Sequence, residues 1–347
     1  MRRRQKFFRF FDAARSRAGA ALLVVLGFVV LLAMLTIGIL KNAQREILWQ
    51  AEGYARPQLE IAACTALESA LAVIANFQNI DGAVYAPQQG WNDALALAGF
   101  EYVPAENACR FDDKTLISVT FFDESSRFPI NKLSESELAN LFIALGISDS
   151  DAANLSACLA DWIDSDDNAR TNGAEIDDYE GFDAEYIPPN RELSDLREIR
   201  HIKHFREVFF EEDDRPNALF RQLESAVSLI ASSGKPNVNT ASDAALNVLC
   251  YETDVNENAL RDYRDPQDHF GASGGIFRNA NDLSRAGAES LANKVSFAVR
   301  TLRITATARR GTASFVLETC VEIASSRGGS NSTPFTLIER KENIRRE

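Results

Sequence analysis

Ala18–Leu40 reads AGAALLVVLGFVVLLAMLTIGIL, 23 residues without a charge. A helix rising about 1.5 Å per residue needs about 20 apolar residues to cross a bilayer. The run is therefore long enough to span, and it exceeds the roughly 7–15 apolar residues of a secretory signal core. No A-x-A cleavage pattern follows, because Leu40 leads directly into KNAQREILWQAE, which continues a helical pattern. On the other flank Arg2, Arg3, Arg4, Lys6, Arg9, Arg15 and Arg17 face the single acid Asp12. The positive-inside bias keeps this arm cytoplasmic and puts the acidic bulk of the chain across the membrane.

The whole chain has 347 residues, 46% of them hydrophobic and 25% charged, with 22 Phe. Such a composition buries a core and excludes a disordered protein. Acids outnumber bases 50 to 37, a net charge of −13. This excludes a sequence-wide nucleic-acid binder, which needs a basic footprint. Cys64, Cys109, Cys158, Cys250 and Cys320 all lie beyond the apolar run and form no C-x-x-C pair. One or two disulfides are permitted in an exported compartment, and the odd count leaves at least one thiol unpaired.

Beyond the span, Lys41 to about Gln78 reads as more of the same helix. Ile47, Leu48, Ala51, Tyr54 and Ala55, then Leu67, Leu71 and Ile74, recur at three and four. Pro57 is expected to kink that helix or end its first segment. LISVTFF at Leu116–Phe122 is β-rich, and Phe297–Ala308 and Thr312–Ile323 flank Arg309-Arg310-Gly311 as a hairpin. A short strand, Phe335–Glu339, precedes a charged tail, and Ser325–Pro334 is a loop by composition. Between the β blocks, Ser134-Glu135-Ser136-Glu137 is a capping box ahead of LANLFIAL, with Gly146 as the stop. Further helices are predicted at roughly Asp149–Ile163, Leu193–Phe210, Pro216–Ala231 and Ala241–Cys250. A sheet interrupted by a large all-α insert is an α+β architecture.

Asp161–Glu185 holds ten acids and one base, Arg170. Asp164, Asp166, Asn168 and Glu175 fall at positions 1, 3, 5 and 12 of the calcium-loop pattern, with Ala169 where that pattern has Gly. The spacing has two readings, oxygen ligation of Ca²⁺ or a solvated acidic loop; a softer metal such as zinc does not suit these ligands. Other motifs carry less. Gly271-Ala272-Ser273-Gly274-Gly275 matches G-x-S-x-G, but DYRDPQDHF before it is no buried strand, so a flexible loop is expected. His201 and His204 sit i, i+3 on a predicted helix without a third ligand, and His269 is the only other histidine. An enzyme is not expected.

The order of these features resembles the type II secretion system minor pseudopilin, protein K. The basic leader and Gly19 directly before AALLVVLGFVV look like a type IV prepilin-type signal. Asp123-Glu124-Ser125-Ser126-Arg127-Phe128-Pro129-Ile130-Asn131 is similar to the family's D-E-S-G-x-x-N-x-N segment, with Ser126 and Pro129 as departures. Asp161-Trp162-Ile163-Asp164-Ser165-Asp166, then Asn172-Gly173-Ala174-Glu175 and Tyr179, look like its D-W-I-D-x-D and N-G-A-E-x-x-x-Y block. Pro188-Pro189-Asn190-Arg191-Glu192-Leu193 and Asn237-Val238-Asn239-Thr240-Ala241 match two further segments in the same order.

The resemblance implies a long N-terminal transmembrane helix (20–78) behind a leader (1–19), and a pilin-like antiparallel sheet in two parts (79–131 and 296–347). A helical insertion (132–295) separates them. It implies that a prepilin peptidase cuts between Gly19 and Ala20; Gly27-Phe28, the alternative on paper, lies inside the apolar run. Val24 then becomes the fifth mature residue, where major pilins carry Glu. An uncharged Val24 pairs with no neighbouring amine, and the family places protein K at the pseudopilus tip. Calcium ligands carried over are Asp164, Asp166, Glu175 and Asp178, with Asn168 and Asp177 beside them. The implied partners are other minor pseudopilins of the tip complex, docking through the apolar stripe of the N-terminal helix, and the inner-membrane secretion platform; nucleic acid is not among them. The rival reading is a membrane-anchored periplasmic calcium-binding adhesin or sensor whose anchor is never cut.

Overall fold

The structure, a computed structural model, describes residues 4–179, 188–251, 253–265, 275–324 and 334–346. Ser325–Pro334, predicted as a loop, falls outside these except at Pro334, and so do His269 and Ser273. The chain divides into two units, Met1–Leu59 and Glu60–Glu347.

Helix α1 runs Arg4–Asp81. Within the first unit, residues 24–40 are exposed throughout. Val24–Gln44 is long and apolar enough to cross a membrane. Of the two outcomes expected at Pro57, a kink or an end, the helix does not end; the helical run continues through it. Proline's cost is local, one missing N–H and a clash with the preceding turn, and a run of this length absorbs it.

In the second unit the last turns of α1 are buried on one side through Ala62, Ala63, Ala66, Leu67, Ala70, Val73 and Ile74. Ala70 and Val73 pack with Ala94 of helix α2 (Ala94–Leu97) and with Val119 and Phe121. The predicted apolar stripe is therefore consumed here by the chain's own sheet; Leu67 and Ile74 are not free for a partner. Short strands β1 (Glu101–Val103) and β2 (Ala108–Arg110) lead to β3 (Leu116–Asp123). The sheet continues after the insertion with β6 (Thr301–Arg310), β7 (Ala313–Ile323) and β8 (Phe335–Arg346), in the order β1-β2-β3-β6-β7-β8, all antiparallel. Register places Ile117, Val119 and Phe121 opposite Ala308, Ala306 and Ile304, and these opposite Phe315, Leu317 and Thr319. Period-2 alternation thus puts one apolar face against α1.

β8 is longer than the predicted Phe335–Glu339. The charged tail Arg340–Arg346 pairs with Ala313–Thr319 as an edge strand, beyond a bulge at Cys320/Val321. Charge on both faces disguises an edge strand as a solvated tail, and it is also a common means of blocking further strand addition.

The segment between β3 and β6 is mainly helical. A two-residue strand β4 (Phe128–Pro129) pairs in parallel with β5 (Val227–Ser228). Helix α3 (Glu135–Ala144) starts at a full Ser134/Glu137 capping box, and Gly146 supplies the left-handed turn after its end at φ 93°. Helix α4 occupies Asp149–Ile163, capped by Ser148. The predicted helix Leu193–Phe210 is instead a 3₁₀ turn, Leu196–His201, and a short helix α5 (Phe205–Phe209). His204 breaks them at φ 70°, which lets Ile199, Ile202, Phe205 and Phe209 all bury in one core. His201 and His204 consequently share no helix and no ligand geometry. Helix α6 (Ala218–Ala226) gives way to β5 well before Ala231, the end predicted for it. Helices α7 (Asp243–Cys250), α8 (Glu257–Arg264) and α9 (Ala280–Arg285) complete the insert.

Candidate functional site

Two polar constructions stand out against this core. The first joins sheet to insert. Asp123 ends β3, is 6% exposed, and accepts from Ser125 N at 2.9 Å, from Ser125 Oγ, from Asn237 Nδ2 at 2.9 Å and from Thr240 Oγ1 at 2.6 Å. Burial holds its carboxyl above the usual range although each of these donors pulls the other way. Beside it, the buried Glu124 accepts from Arg303 Nε at 2.6 Å and from Ser228 Oγ at 2.7 Å. Arg303 also contacts Glu318. The D-E-S-S segment and the N-V-N-T segment thus form one buried network, in which every oxygen of Asp123 has a donor. Its saturation marks it as a structural junction.

The second is the acidic loop, and it is not saturated. Helix α4 delivers Asp161 into the interior, with its side chain fully buried, and stops at Asp164, whose N–H bonds Ala160 O at 3.1 Å. Arg170 folds back over both. Its Nη1 lies 2.6 Å from Asp161 Oδ1 and contacts Asp164 Oδ2, its backbone N–H reaches Asp161 Oδ2 at 3.1 Å, and its Nε is 3.7 Å from Glu135. Asn172 takes a left-handed turn at φ 67°. Gly173 follows, at a point where any Cβ would fall on the Asp161 carboxylate.

Asp166 Oδ1 accepts from Asn168 N at 3.0 Å and Nδ2 at 2.7 Å, which holds its carboxyl below the usual range. Asp178 is lowered by its 3.0 Å bond to Lys203 Nζ and by the Glu175 N–H. Asp177 is exposed on the 3₁₀ turn Ile176–Asp178.

Glu175 differs from all of these. It is 4% exposed, yet neither carboxylate oxygen has a hydrogen-bond partner. Burial, and then the nearby charges of Asp161, Asp164, Asp167 and Asp166, push its pKa up to about 7. Asn190 adds a third unsatisfied oxygen, since its Nδ2 donates to Asp167 Oδ1 at 2.9 Å and Asp166 O at 3.2 Å while its Oδ1 is buried without a partner. Buried acceptors without donors cost about 1–3 kcal/mol each, and oxygen acceptors grouped among carboxylates are the donor set of a hard divalent cation. The residues therefore fit Ca²⁺ by chemistry. They do not form a closed cage: among the described residues no three His, Cys, Asp or Glu side chains converge on one point.

Of the predicted ligands, the structure brings Asp164, Asp166 and Glu175 into one electrostatic neighbourhood, leaves Asn168 capping Asp166, commits Asp178 to Lys203 and turns Asp177 to solvent. The spacing argument missed Asp161 as the anchor of the loop, and Asp167 and Asn190 as its far wall. For Asn190 the only sequence signal is the P-P-N segment itself. Gly19 and Ala20 lie within α1, and Val24 is 60% exposed on it.

Residues 117–212, from β3 through α3, α4 and the loop, match the family model described as Type II secretion system (T2SS), protein K. The Type II secretion system protein K of Pseudomonas aeruginosa is 30% identical over 143 residues, 38% of this chain. The match spans two fifths, 40%, of that relative's length. A chain from the crystal structure of the GspK-GspI-GspJ complex of the enterotoxigenic Escherichia coli Type 2 Secretion System superposes with a TM-score of 0.53 at 17% identity, covering 87% of this chain and 99% of that one. This last likeness is one of fold. The stretch that carries the end of β3, both capped helices and the unsaturated acidic loop is thus similar to type II secretion system protein K.

Proposed function

We propose that the chain is a minor pseudopilin of the type II secretion system, acting at the tip and in the initiation of a periplasmic pseudopilus, and not an enzyme. The observation that carries this is the protein K match over residues 117–212, on a chain that begins with an exposed apolar helix. Its partners on this reading are other minor pseudopilins, as in the complex named for the E. coli structure, together with the inner-membrane secretion platform. Docking is by the exposed residues of the first unit, since Leu67 and Ile74 are used internally. The helix lies in the inner membrane with residues 1–17 cytoplasmic and the sheet and insert periplasmic.

On this reading a prepilin peptidase cuts between Gly19 and Ala20. Val24 carries no charge, so it cannot neutralise the amine of a further subunit, and it costs nothing when no subunit lies beyond it. The test is the mass of the membrane-extracted protein. Loss of residues 1–19 supports the assignment. An intact arm refutes it and favours an anchored calcium-binding adhesin or sensor.

Ca²⁺ is the proposed ligand of the acidic loop, held by Asp164, Asp166 and Glu175, with Asn168, Asp177 and Asp178 at its margin. The support is the partnerless, buried carboxylate of Glu175. A bound ion would supply the charge that this loop lacks, so part of its binding free energy would be folding free energy. A fall in Tm on adding EDTA supports it; an unchanged Tm refutes it.

A further inference from the structure

The loop already contains a cation of its own. Arg170 is the single base in a run of ten acids, and its guanidinium bridges Asp161 and Asp164 while reaching toward Glu135. Its position is a consequence of local geometry. Asp161 is carried inward by the last turn of α4, and the bare backbone of Gly173 leaves room for that carboxylate. The turn through Asn172 then brings the Arg170 N–H and side chain to the same carboxylate. Arg170 is also partly exposed, with 35% of its side chain open to solvent, whereas Asp161 is wholly enclosed. Its hydrogen bonds go to two of the loop's acids, Asp161 and Asp164. Glu175, on the enclosed side of the loop, receives none of them.

We infer that Arg170 is a tethered counter-ion which keeps the loop folded without calcium and sets how tightly the loop takes calcium up. This inference rests on the calcium reading given above, but concerns a residue that is not itself a ligand. Two effects follow from one side chain. In the cation-free protein, Arg170 shields Asp161 from being a buried lone charge, which is costly when one partner is removed. In the loaded protein, the same fixed positive charge stands against Asp164 and would repel a divalent ion held by that carboxylate. At an effective dielectric of about 20 that repulsion amounts to at least about a tenfold loss of affinity. Arg170 thereby trades calcium affinity for a loop that survives its absence. Its fork geometry is what lets it hold Asp161 and Asp164 together, and lysine does not reproduce this.

The experiment uses the full chain in detergent, with Arg170→Gln and Arg170→Lys beside wild type. Each is melted in EDTA and in millimolar CaCl₂, and titrated with calcium by calorimetry. For Arg170→Gln we expect a Tm deficit of about 10 °C in EDTA, mostly restored by calcium, and calcium binding at least about tenfold tighter than wild type. Arg170→Lys should fall between the two. A Tm deficit of equal size with and without calcium, with unchanged affinity, reduces Arg170 to an ordinary structural ion pair and overturns the inference. If Arg170→Gln does not fold in either condition, Arg170→Lys decides: tighter binding supports the inference and unchanged binding overturns it. A wild type that shows no calcium response at all overturns the calcium reading itself, and the inference with it; a wild type that responds while the variants match it overturns the inference alone.

Discussion

Asn237 Nδ2 donates to Asp123 Oδ2 at 2.9 Å across 114 residues of sequence, and both side chains are buried. The same Asn237 side chain donates to Tyr85 O, and its backbone N–H donates to Ser125 O at 2.7 Å. One amide therefore ties the segment after α1, the end of β3 and the returning chain of the insert to each other. A helical segment placed between neighbouring strands β3 and β6 must leave and re-enter the sheet at adjacent points, and this bond closes that gap. Loop closure across a long insertion is entropically cheap per added residue, but a defined entry geometry needs directional bonds.

Asp123→Ala is expected to destabilise the second unit by about 3–5 kcal/mol, because it strands the donors of Ser125, Asn237 and Thr240 in the interior. Asn237→Ala should cost about 2 kcal/mol, and the double variant should cost less than the sum, since the two share one network. Chemical denaturation of the three variants measures the coupling. Strict additivity would show that the two residues act separately.

Gly173→Ala should be more harmful than an ordinary exchange at a loop glycine. The backbone there is not left-handed, so strain in φ is not the cause. The new methyl would fall on the Asp161 carboxylate, which is fully buried and held by Arg170, and cannot yield without losing both bonds. The expected loss is about 2–4 kcal/mol, above the usual cost of overpacking by one methyl group. A thermal melt of Gly173→Ala within 1 °C of wild type would contradict the placement of Asp161.

Much of this architecture is legible before any coordinates. Ser134 with Glu137 marks the start of α3 because side-chain caps are local chemistry. The β6–β7 hairpin is legible because its alternation is regular. Three failures share a different cause. His204 looks helical by spacing, and the backbone breaks there only because four apolar neighbours seek one core. The tail Arg340–Arg346 looks solvated, and it is a strand only because Ala313–Thr319 offers an open edge. Asn190 is invisible as a loop partner because the contact to Asp166 and Asp167 spans 24 and 23 residues. Carboxylate spacing located the acidic loop, but which acid is lowered, which is paired and which is left alone depends on Arg170, Lys203 and burial.

Cation-free protein should become less stable as pH rises from 5 to 8, with Glu175 as a principal cause. Its pKa is about 7 in the folded state, against about 4.3 for an unperturbed Glu. A group raised on folding binds its proton more tightly in the native state, so the stability it brings is complete below the unfolded value and is lost as pH climbs through the folded one. Asp166 and Asp178 are lowered and act only at more acid pH. Asp123, raised by burial, has the same sign as Glu175, so the difference between wild type and Glu175→Gln isolates the latter. In EDTA, wild type should lose several degrees of Tm across this range relative to Glu175→Gln. Parallel curves for the two proteins would contradict the isolated burial of Glu175.

All five thiols are free in this structure, so the disulfides permitted by an exported location are not formed. Cys109, Cys158 and Cys320 are buried, and burial pushes the Cys158 and Cys320 thiols up to about 12 and that of Cys250 to about 11. Only the thiolate attacks a disulfide reagent, so a raised pKa and a closed surface slow reaction together. Cys64 is partly exposed, with Arg340 Nη2 3.8 Å from its sulfur. Ellman titration of the native protein at pH 8 should therefore register one fast thiol, removed by Cys64→Ser, and five after unfolding in the absence of reductant. A count of three or fewer in the unfolded, unreduced protein would show that a pair had bonded. Since Cys109 and Cys320 lie in β2 and β7, separated by β3 and β6, and Cys158 lies in α4, a bond between any two of these would require a different packing.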